Sequence, residues 1–360
     1  MFNKKYQLSL TKEYVRHWGV IEATRELIQN AIDSESPFVY EFSETEDGSK
    51  TLLLMSEMTT LHPQSLLLGS TSKDGNKNAI GSFGEGYKIA MLVLLRESVS
   101  VEIFNGDKLW SPSFEYNKHF GEELLVVQES QLNFRNKGLT FKLSGLSDED
   151  VGGIIDSCLL MQNNIGEIKS TKYGDILLGR KGKLYVGNLF ICETDKEYGY
   201  NIKPEYVKLE RDRQTVDDWD LSIITKNMWF ETGEFEKIAC MIKNEVEDVR
   251  LARFGSPDMV KDACYRLFKK THPNSVIVGN QEDLEKLIKS GLERVVHVGV
   301  NFHSAVTESV LYKHEKPVDM EKIENVLSKW LEKNKFNMHH KVVTSFKEDI
   351  LKQSKFWLRK

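Results

Sequence analysis

The sequence is poor in features that announce a chemistry outright. Its four cysteines, Cys158, Cys192, Cys240 and Cys264, lie far apart and form no C-x-x-C pair. That speaks against metal binding and against a disulfide framework, and it fits a reducing cytoplasm. The histidines offer no H-E-x-x-H or comparable ligand spacing; His297, His303, His314, His339 and His340 read as ordinary surface or core residues. There is no G-x-S-x-G nucleophile elbow, no internal repeat and no low-complexity tract. Long apolar runs are missing too. The longest, Ile89 to Leu95, is far too short to span a bilayer, and Met1-Phe2-Asn3-Lys4-Lys5 leads into no run of signal-peptide length. Nor is there an excess of positive charge: the formal net charge is −5 over 360 residues, so nothing global advertises a nucleic-acid or membrane surface. The expectation is a cytoplasmic chain of two or three domains with no membrane association.

One local departure from that charge balance stands out. Residues 331–360 carry Lys333, Lys335, Lys341, Lys347, Lys352, Lys355, Arg359 and Lys360 against Glu332, Glu348 and Asp349, so 8 − 3 = +5. The tail reads either as a solvated helical segment or as a patch for nucleic acid or another partner.

The most informative stretch is Arg25-Glu26-Leu27-Ile28-Gln29-Asn30-Ala31-Ile32-Asp33. At ~100° per residue, a helix here places Glu26, Asn30 and Asp33 within an arc of roughly 60°, opposite Leu27, Ile28, Ala31 and Ile32. A carboxylate, a carboxamide and a second carboxylate then share one stripe. Two readings are open: a solvated amphipathic face, or a polar site built on a helix.

Around it the chain reads as alternating elements. Tyr6 to Leu10 alternates like a strand, and Thr11 with Glu13 and Tyr14 reads as a short helix start that Trp18-Gly19 would end. Phe38 to Phe42 and Thr51 to Met55, joined across Asp47-Gly48, read as a hairpin. A polar loop follows, then Gly81-Ser82-Phe83-Gly84-Glu85-Gly86, opening an apolar helix from Tyr87 to about Leu95. Glycines admit close backbone approach, and the first amides of a helix favour anions, so this is physically a phosphate site. The spacing is neither the dinucleotide-binding order nor a Walker loop. Strands recur over Val99 to Phe104, Leu124 to Val127 and Gly138 to Leu143. The pattern is α+β, an antiparallel or mixed sheet backed by helices on one face.

Together, Glu26/Asn30/Asp33 and the glycine cluster resemble the ATP-binding domain of the GHKL superfamily (gyrase B, the large heat-shock chaperone, histidine kinases and MutL). Gly69-Ser70-Thr71-Ser72-Lys73 is similar to the G-x-S-x-K segment of that family's ATP lid, and Gly138-Leu139-Thr140 to its late Gly-Thr strand motif. The resemblance covers about residues 1–165. It implies a Bergerat-type two-layer α/β sandwich with a mixed sheet, and ATP with Mg²⁺ as cofactors. Glu26 would be the general base acting on a water. Asn30 would be the Mg²⁺ ligand, and Asp33 would bind metal-bound water or orient the ribose. Gly81, Gly84 and Gly86 would offer amides to the phosphates, with Ser82, Phe83 and Lys88 beside them. Ser72 and Lys73 would lie in the lid, and Thr140 would approach the adenine. One departure stands out: where the family carries D-x-G-x-G after the second strand, this chain has Met55-Ser56-Glu57-Met58-Thr59-Thr60. Ser56 through a water, or Glu57 one position along, would stand in for the adenine-binding aspartate.

The second half reads as strands over Asp175 to Leu178 and Lys183 to Ile191, then helix from about Trp219 to Leu251. In the gyrase, MutL and chaperone branches a second domain supplies a basic residue to the γ-phosphate. The resemblance makes Arg211 or Arg213, with Lys208 nearby, the candidates, although an Arg-Asp-Arg run also reads as an internal ion-pair network. Beyond Phe254-Gly255-Ser256-Pro257, a helix from Asp258, a strand at Ser275 to Gly279, a helix at Asp283 to Ser290 and a strand at Val295 to Val300 suggest a small α/β unit with a helical tail. Expected domains are 1–165, 166–253 and 254–360.

The expected function is an ATP-binding, slowly hydrolysing conformational switch. Mg·ATP would order the 69–86 lid and rearrange the downstream domains, with nucleotide-dependent homodimerisation as one route and a protein or nucleic acid as the partner that reads the state. The alternatives are a non-hydrolysing interaction module that kept the fold, and an ATP-gated nucleic-acid clamp using the basic tail. A histidine kinase is not expected, because only some twenty-five residues precede the Glu26 helix. Nor is a complete topoisomerase, whose DNA-cleaving tyrosine domain a chain this short would not hold.

Overall fold

Seven strands form the main sheet: β1 (Lys4–Thr11), β2 (Phe38–Glu44), β3 (Lys50–Glu57), β4 (Ser100–Asn105), β5 (Lys108–Asn117), β6 (Glu122–Gln131) and β7 (Gly138–Leu146), in the order β1-β6-β5-β4-β7-β3-β2. The computed structural model describes residues 4–34, 38–46, 48–57, 59–67, 86–209, 216–289, 294–314, 328–334 and 338–345. Every pairing in this sheet is antiparallel. The expected mixture of directions is therefore absent from it. The reason is connectivity: β2–β3, β4–β5 and β5–β6 are joined by short turns, which link only antiparallel neighbours.

Period-two alternation gives the sheet one covered face. On β3, Leu52 and Leu54 are buried, and on β7 so are Leu139, Phe141 and Leu143; they share one core with residues of α1 (Val20–Ile32) and α2 (Gly86–Arg96). Helix α2 is buried continuously from Ile89 to Leu94, which explains its unbroken apolar sequence. On the opposite face Val39 and Glu41 are exposed and Lys142 is half-exposed.

The short helix expected after Thr11 does not form. Residues 12–17 are a turn in which Val15 takes φ 47°. Arg96, at the end of α2, donates to the carbonyls of Lys12, Tyr14, Val15 and Trp18. Backbone carbonyls gathered on one guanidinium are not available to a helical ladder.

A second sheet contains β8 (Ile168–Thr171), β9 (Gly174–Leu177), β10 (Lys183–Val186), β11 (Leu189–Glu193) and β12 (Gly199–Ile202), ordered β11-β10-β12-β9-β8. Here β10 pairs parallel with β12 and the other pairings are antiparallel, so this is the mixed sheet. The single strand expected over 183–191 folds back on itself at Gly187 (φ 55°) and Asn188 (φ 73°). Positive φ at both central positions is the type I′ turn that matches strand twist. The long helix expected over 219–251 is likewise broken: α4 (Asp218–Glu231) ends before Gly233 (φ 71°), and α5 (Phe235–Lys243) follows. Glycine just past a helix end terminates it in the left-handed conformation.

The chain divides into two compact units, one of residues 1–234 with 244–251, the other of 235–243 with 252–360. Both sheets and α4 lie in the first, so the expected boundary at 165/166 does not separate these units. The second unit packs α5 against α6 (Asp258–Thr271), and its parallel strands β13 (Val276–Val278) and β14 (Val295–His297) are connected through α7 (Gln281–Lys289). Helix α8 (Val300–Glu308) follows. Of the tail, residues 328–334 and His340–Ser345 are helical; residues 335–337 and 346–360, with most of its basic residues, lie outside the described residues.

Candidate functional site

Helix α1 begins after Gly19, whose amide donates to Glu22 Oε2 at 2.9 Å. From Ala23 to Gln29 every residue is buried, and Glu26 is only 1% exposed. Glu26 is thus not on a solvated face, while Asn30 and Asp33 on the same stripe are half-buried. An interior carboxylate is costly unless its surroundings are polar, and the immediate surroundings here are polar. Asn30 stands one turn on, its Nδ2 donating to the Glu26 carbonyl at 2.7 Å.

Against these two groups stands the start of α2. A Cβ built on Gly86 would fall 2.7 Å from Glu26 Oε2 and 2.9 Å from Asn30 Nδ2. Only a residue without a side chain lets the backbone come this close with both groups in place. Two motifs separated by some fifty residues of sequence therefore meet at one point: the carboxylate and carboxamide of α1, and the last glycine of the cluster that opens α2. Asp33, at the end of α1, lies on the same flank. Beside it is Tyr87, whose ring stacks on Phe141 with centroids 5.5 Å apart and planes at 11°. Burial first, and the Asp33 carboxylate second, hold the Tyr87 phenol above its ordinary range.

Two further candidates, Ser56 and Glu57 at the end of β3, face opposite sides of the sheet. Ser56 pairs with Leu139 and shares the helix-covered face; it is 5% exposed. Glu57 is the next residue along the strand and points to the solvent face. Thr140, expected at the adenine, also belongs to the solvent face. It pairs with Met55 and Phe104 and accepts from Asn136 Nδ2 at 3.1 Å, whereas Leu139 takes the inward position. The structure does not bring Thr140 to Glu26, since a one-residue offset in a strand reverses the face. Lys88 is fully buried, and its ammonium donates to the carbonyls of Ser65 (2.9 Å) and Leu67 (2.6 Å). It secures the chain just before the glycine-rich segment. Ser72, Lys73, Gly81, Ser82, Phe83 and Gly84, with Arg211 and Arg213, lie outside the described residues.

Two residues at this site escape a reading by motif. Tyr87 directly follows the glycine cluster, and its position between Asp33 and Phe141 depends on tertiary packing. Arg25, adjacent to Glu26, is 6% exposed and donates through Nη1 to the Phe190 carbonyl on β11 at 2.9 Å. The only sequence signal for either is its place beside a motif residue. Among the described residues there is no cluster of three or more His, Cys, Asp or Glu side chains arranged to hold a metal. No helix among them is long and apolar enough to cross a membrane.

This is an α/β protein whose main antiparallel sheet is backed by helices, with a buried carboxylate, Glu26, and a half-buried carboxamide, Asn30, against the start of α2. No family model matches the chain. An uncharacterized protein of Mycoplasma pneumoniae (strain ATCC 29342 / M129 / Subtype 1) is 25% identical to it over 218 residues, 57% of this chain and 88% of the relative.

Proposed function

We propose that the first unit binds Mg·ATP at the Glu26 site and hydrolyses it slowly, as a GHKL-like conformational switch built on a Bergerat-type sandwich. The observation that carries this reading is the approach of Gly86 to Glu26 and Asn30, a cradle that a Cβ would fill. Oxygen donors of this kind suit a hard cation and its phosphate ligands. Asn30, its nitrogen donating to the Glu26 carbonyl, would hold the metal through Oδ1. The metal, when bound, supplies neutralisation of phosphate charge. Glu26 would take the proton of the attacking water. The first amides of α2 would face the phosphates, and Ser56 rather than Glu57 would serve the adenine end. Arg211 or Arg213 remains the sensor in this reading. Output would pass to a protein partner in the cytoplasm, with a nucleotide-dependent homodimer as one form of it.

A second reading, a non-hydrolysing interaction module, is favoured by a specific observation. Lys88 donates to the carbonyls of Ser65 and Leu67, and Thr140 accepts from Asn136 on the far face, which supports a role for both in holding the fold. A nucleic-acid clamp through the 331–360 tail predicts binding that weakens steeply with salt.

The deciding experiment is Mg²⁺-dependent ATP binding and turnover by wild type, Glu26→Ala and Asn30→Ala. The switch reading expects turnover by wild type, binding without turnover by Glu26→Ala, and loss of Mg²⁺-dependent binding by Asn30→Ala. Absence of nucleotide binding by wild type at millimolar ATP would sink it and leave the interaction module.

A further inference from the structure

The solvent face of the main sheet carries a second built feature, independent of the Glu26 site. The loop joining β6 to β7 is held by Asn136. Its amide donates to the Gly106 carbonyl at 2.8 Å, and its Nδ2 lies 3.1 Å from each of the Phe104 carbonyl, the Gly138 carbonyl and Thr140 Oγ1. A side chain anchored at so many points fixes the loop, and the loop presents Phe134, Arg135 and Lys137 outward. The Phe134 ring is 59% exposed and touches Phe104 at 6.3 Å between centroids. Neither Arg135 nor Lys137 has an ion-pair partner among the described residues. Between this loop and strands β2 and β3 lies a cleft of about 340 Å³, whose lining includes Phe134, Arg135, Lys137, Met55, Glu57 and Thr140.

Each part has a chemical meaning. An exposed ring held on a fixed loop beside the sheet offers a stacking surface to a planar aromatic group. Two cations at alternate positions on a fixed loop suit one phosphate. A hydroxyl and an apolar floor complete a cleft at the small end of the size range for ligand sites. We propose that this cleft binds a single free nucleotide, its base against Phe134 and its phosphate between Arg135 and Lys137. A nucleic-acid strand is the poorer occupant because, among the described residues, Arg135 and Lys137 are the only cations lining the cleft. On the same face Lys142 is paired with Glu102 at 2.8 Å, and the Glu57 carboxylate lines the cleft at the β3 side. Repulsion from that carboxylate opposes a second phosphate.

The test is calorimetric titration of the full chain with 5′-AMP in the presence of a chelator, which keeps the Mg²⁺-dependent Glu26 site out of the reading. Phe134→Ala should weaken binding at least about fivefold, the lower bound for a lost base–aromatic stack. Arg135→Gln with Lys137→Gln should erase the preference for 5′-AMP over adenosine, and Asn30→Ala should change nothing. All three substituted cleft residues are exposed, so the fold is not at stake. Binding lost in Asn30→Ala but intact in the cleft variants would assign the nucleotide to the Glu26 site and overturn the proposal. So would no binding of AMP, GMP, CMP or UMP at millimolar concentration, or binding of single-stranded oligonucleotides alone.

Discussion

Gly86 and Glu26 meet at the junction of α1 and α2 with no room for a methyl group between them: a Cβ on the glycine would lie 2.7 Å from the Glu26 carboxylate. The atoms in the way are the ends of Glu26 and Asn30, so an alanine there is accommodated by pushing both polar groups aside. Gly86→Ala should therefore fold, because the helix start tolerates alanine, while the two groups move. If the site hydrolyses ATP, misplacement on the scale of 1 Å costs about 100-fold in turnover. The check is a melting curve alongside an ATPase assay. A variant that keeps both its melting temperature and its turnover would show that Glu26 and Asn30 need not be held where they are.

Arg96 is the tie between α2 and the chain that enters α1. Its guanidinium serves four carbonyls in residues 12–18, a stretch that includes Val15 in a left-handed conformation rare for a β-branched residue. Arg96→Ala leaves those carbonyls to water or to nothing. Loss of charge-assisted hydrogen bonds here should lower stability by about 2–3 kcal/mol. Urea unfolding measures it, and hydrogen exchange should show residues 12–18 opening first.

Much of this architecture is legible in the sequence because it follows from periodicity. The β2–β3 hairpin, the apolar α2 helix and the β13–α7–β14 succession coincide with segments read from alternation and turn residues. The meeting of Gly86 with Glu26 and Asn30 is a tertiary contact between two segments that each carry a recognisable pattern. What escaped was decided by single residues or by distant partners. Strand β5 contains Pro112, which argues against a strand by local rules. Helix α3 (Asp148–Asp156) was announced only by Ser147 and Asp150 in a capping box. The fate of residues 12–17 depended on Arg96, some eighty positions away. The face on which Thr140 lies follows from strand register: in the Gly-Leu-Thr run Leu139 takes the inward position and Thr140 the opposite one.

A buried polar cluster in the first unit should dominate the stability of its second-sheet region. Asp248 is fully buried and accepts from the Glu197 amide (2.7 Å), the Tyr198 amide (3.2 Å) and Tyr200 Oη (2.5 Å), while Trp229 Nε1 donates to Tyr200 Oη at 2.8 Å. Burial, and then the Asp248 carboxylate, raise the Tyr200 phenol well above its usual range, so it stays a donor. Asp248→Ala strands two amides and a hydroxyl and should destabilise by about 3–5 kcal/mol. Tyr200→Phe should lose about 1–2 kcal/mol. The double variant should fall short of the sum by roughly 1 kcal/mol, since the groups share partners. Strict additivity in a denaturant double-mutant cycle would refute the network.

The second unit should respond to alkali through Cys264. This thiol is buried on α6, and burial, with a smaller effect from Cys240 on α5, raises its pKa from 9.0 to about 12. The unfolded chain loses that proton first as pH rises, so deprotonation favours unfolding. The stabilisation is complete below pH 9.0 and is lost progressively as pH climbs toward about 12. Within that window the slope attributable to this one proton approaches about 1.4 kcal/mol per pH unit. Cys264→Ala removes the titration along with some packing, so the comparison is of slopes rather than absolute stabilities. Wild type should lose stability with pH more steeply than the variant, while a thiol reagent at pH 8 labels exposed Cys240 well before Cys264. Equal slopes in urea titrations across this range would mean that Cys264 opens to solvent before the unit unfolds.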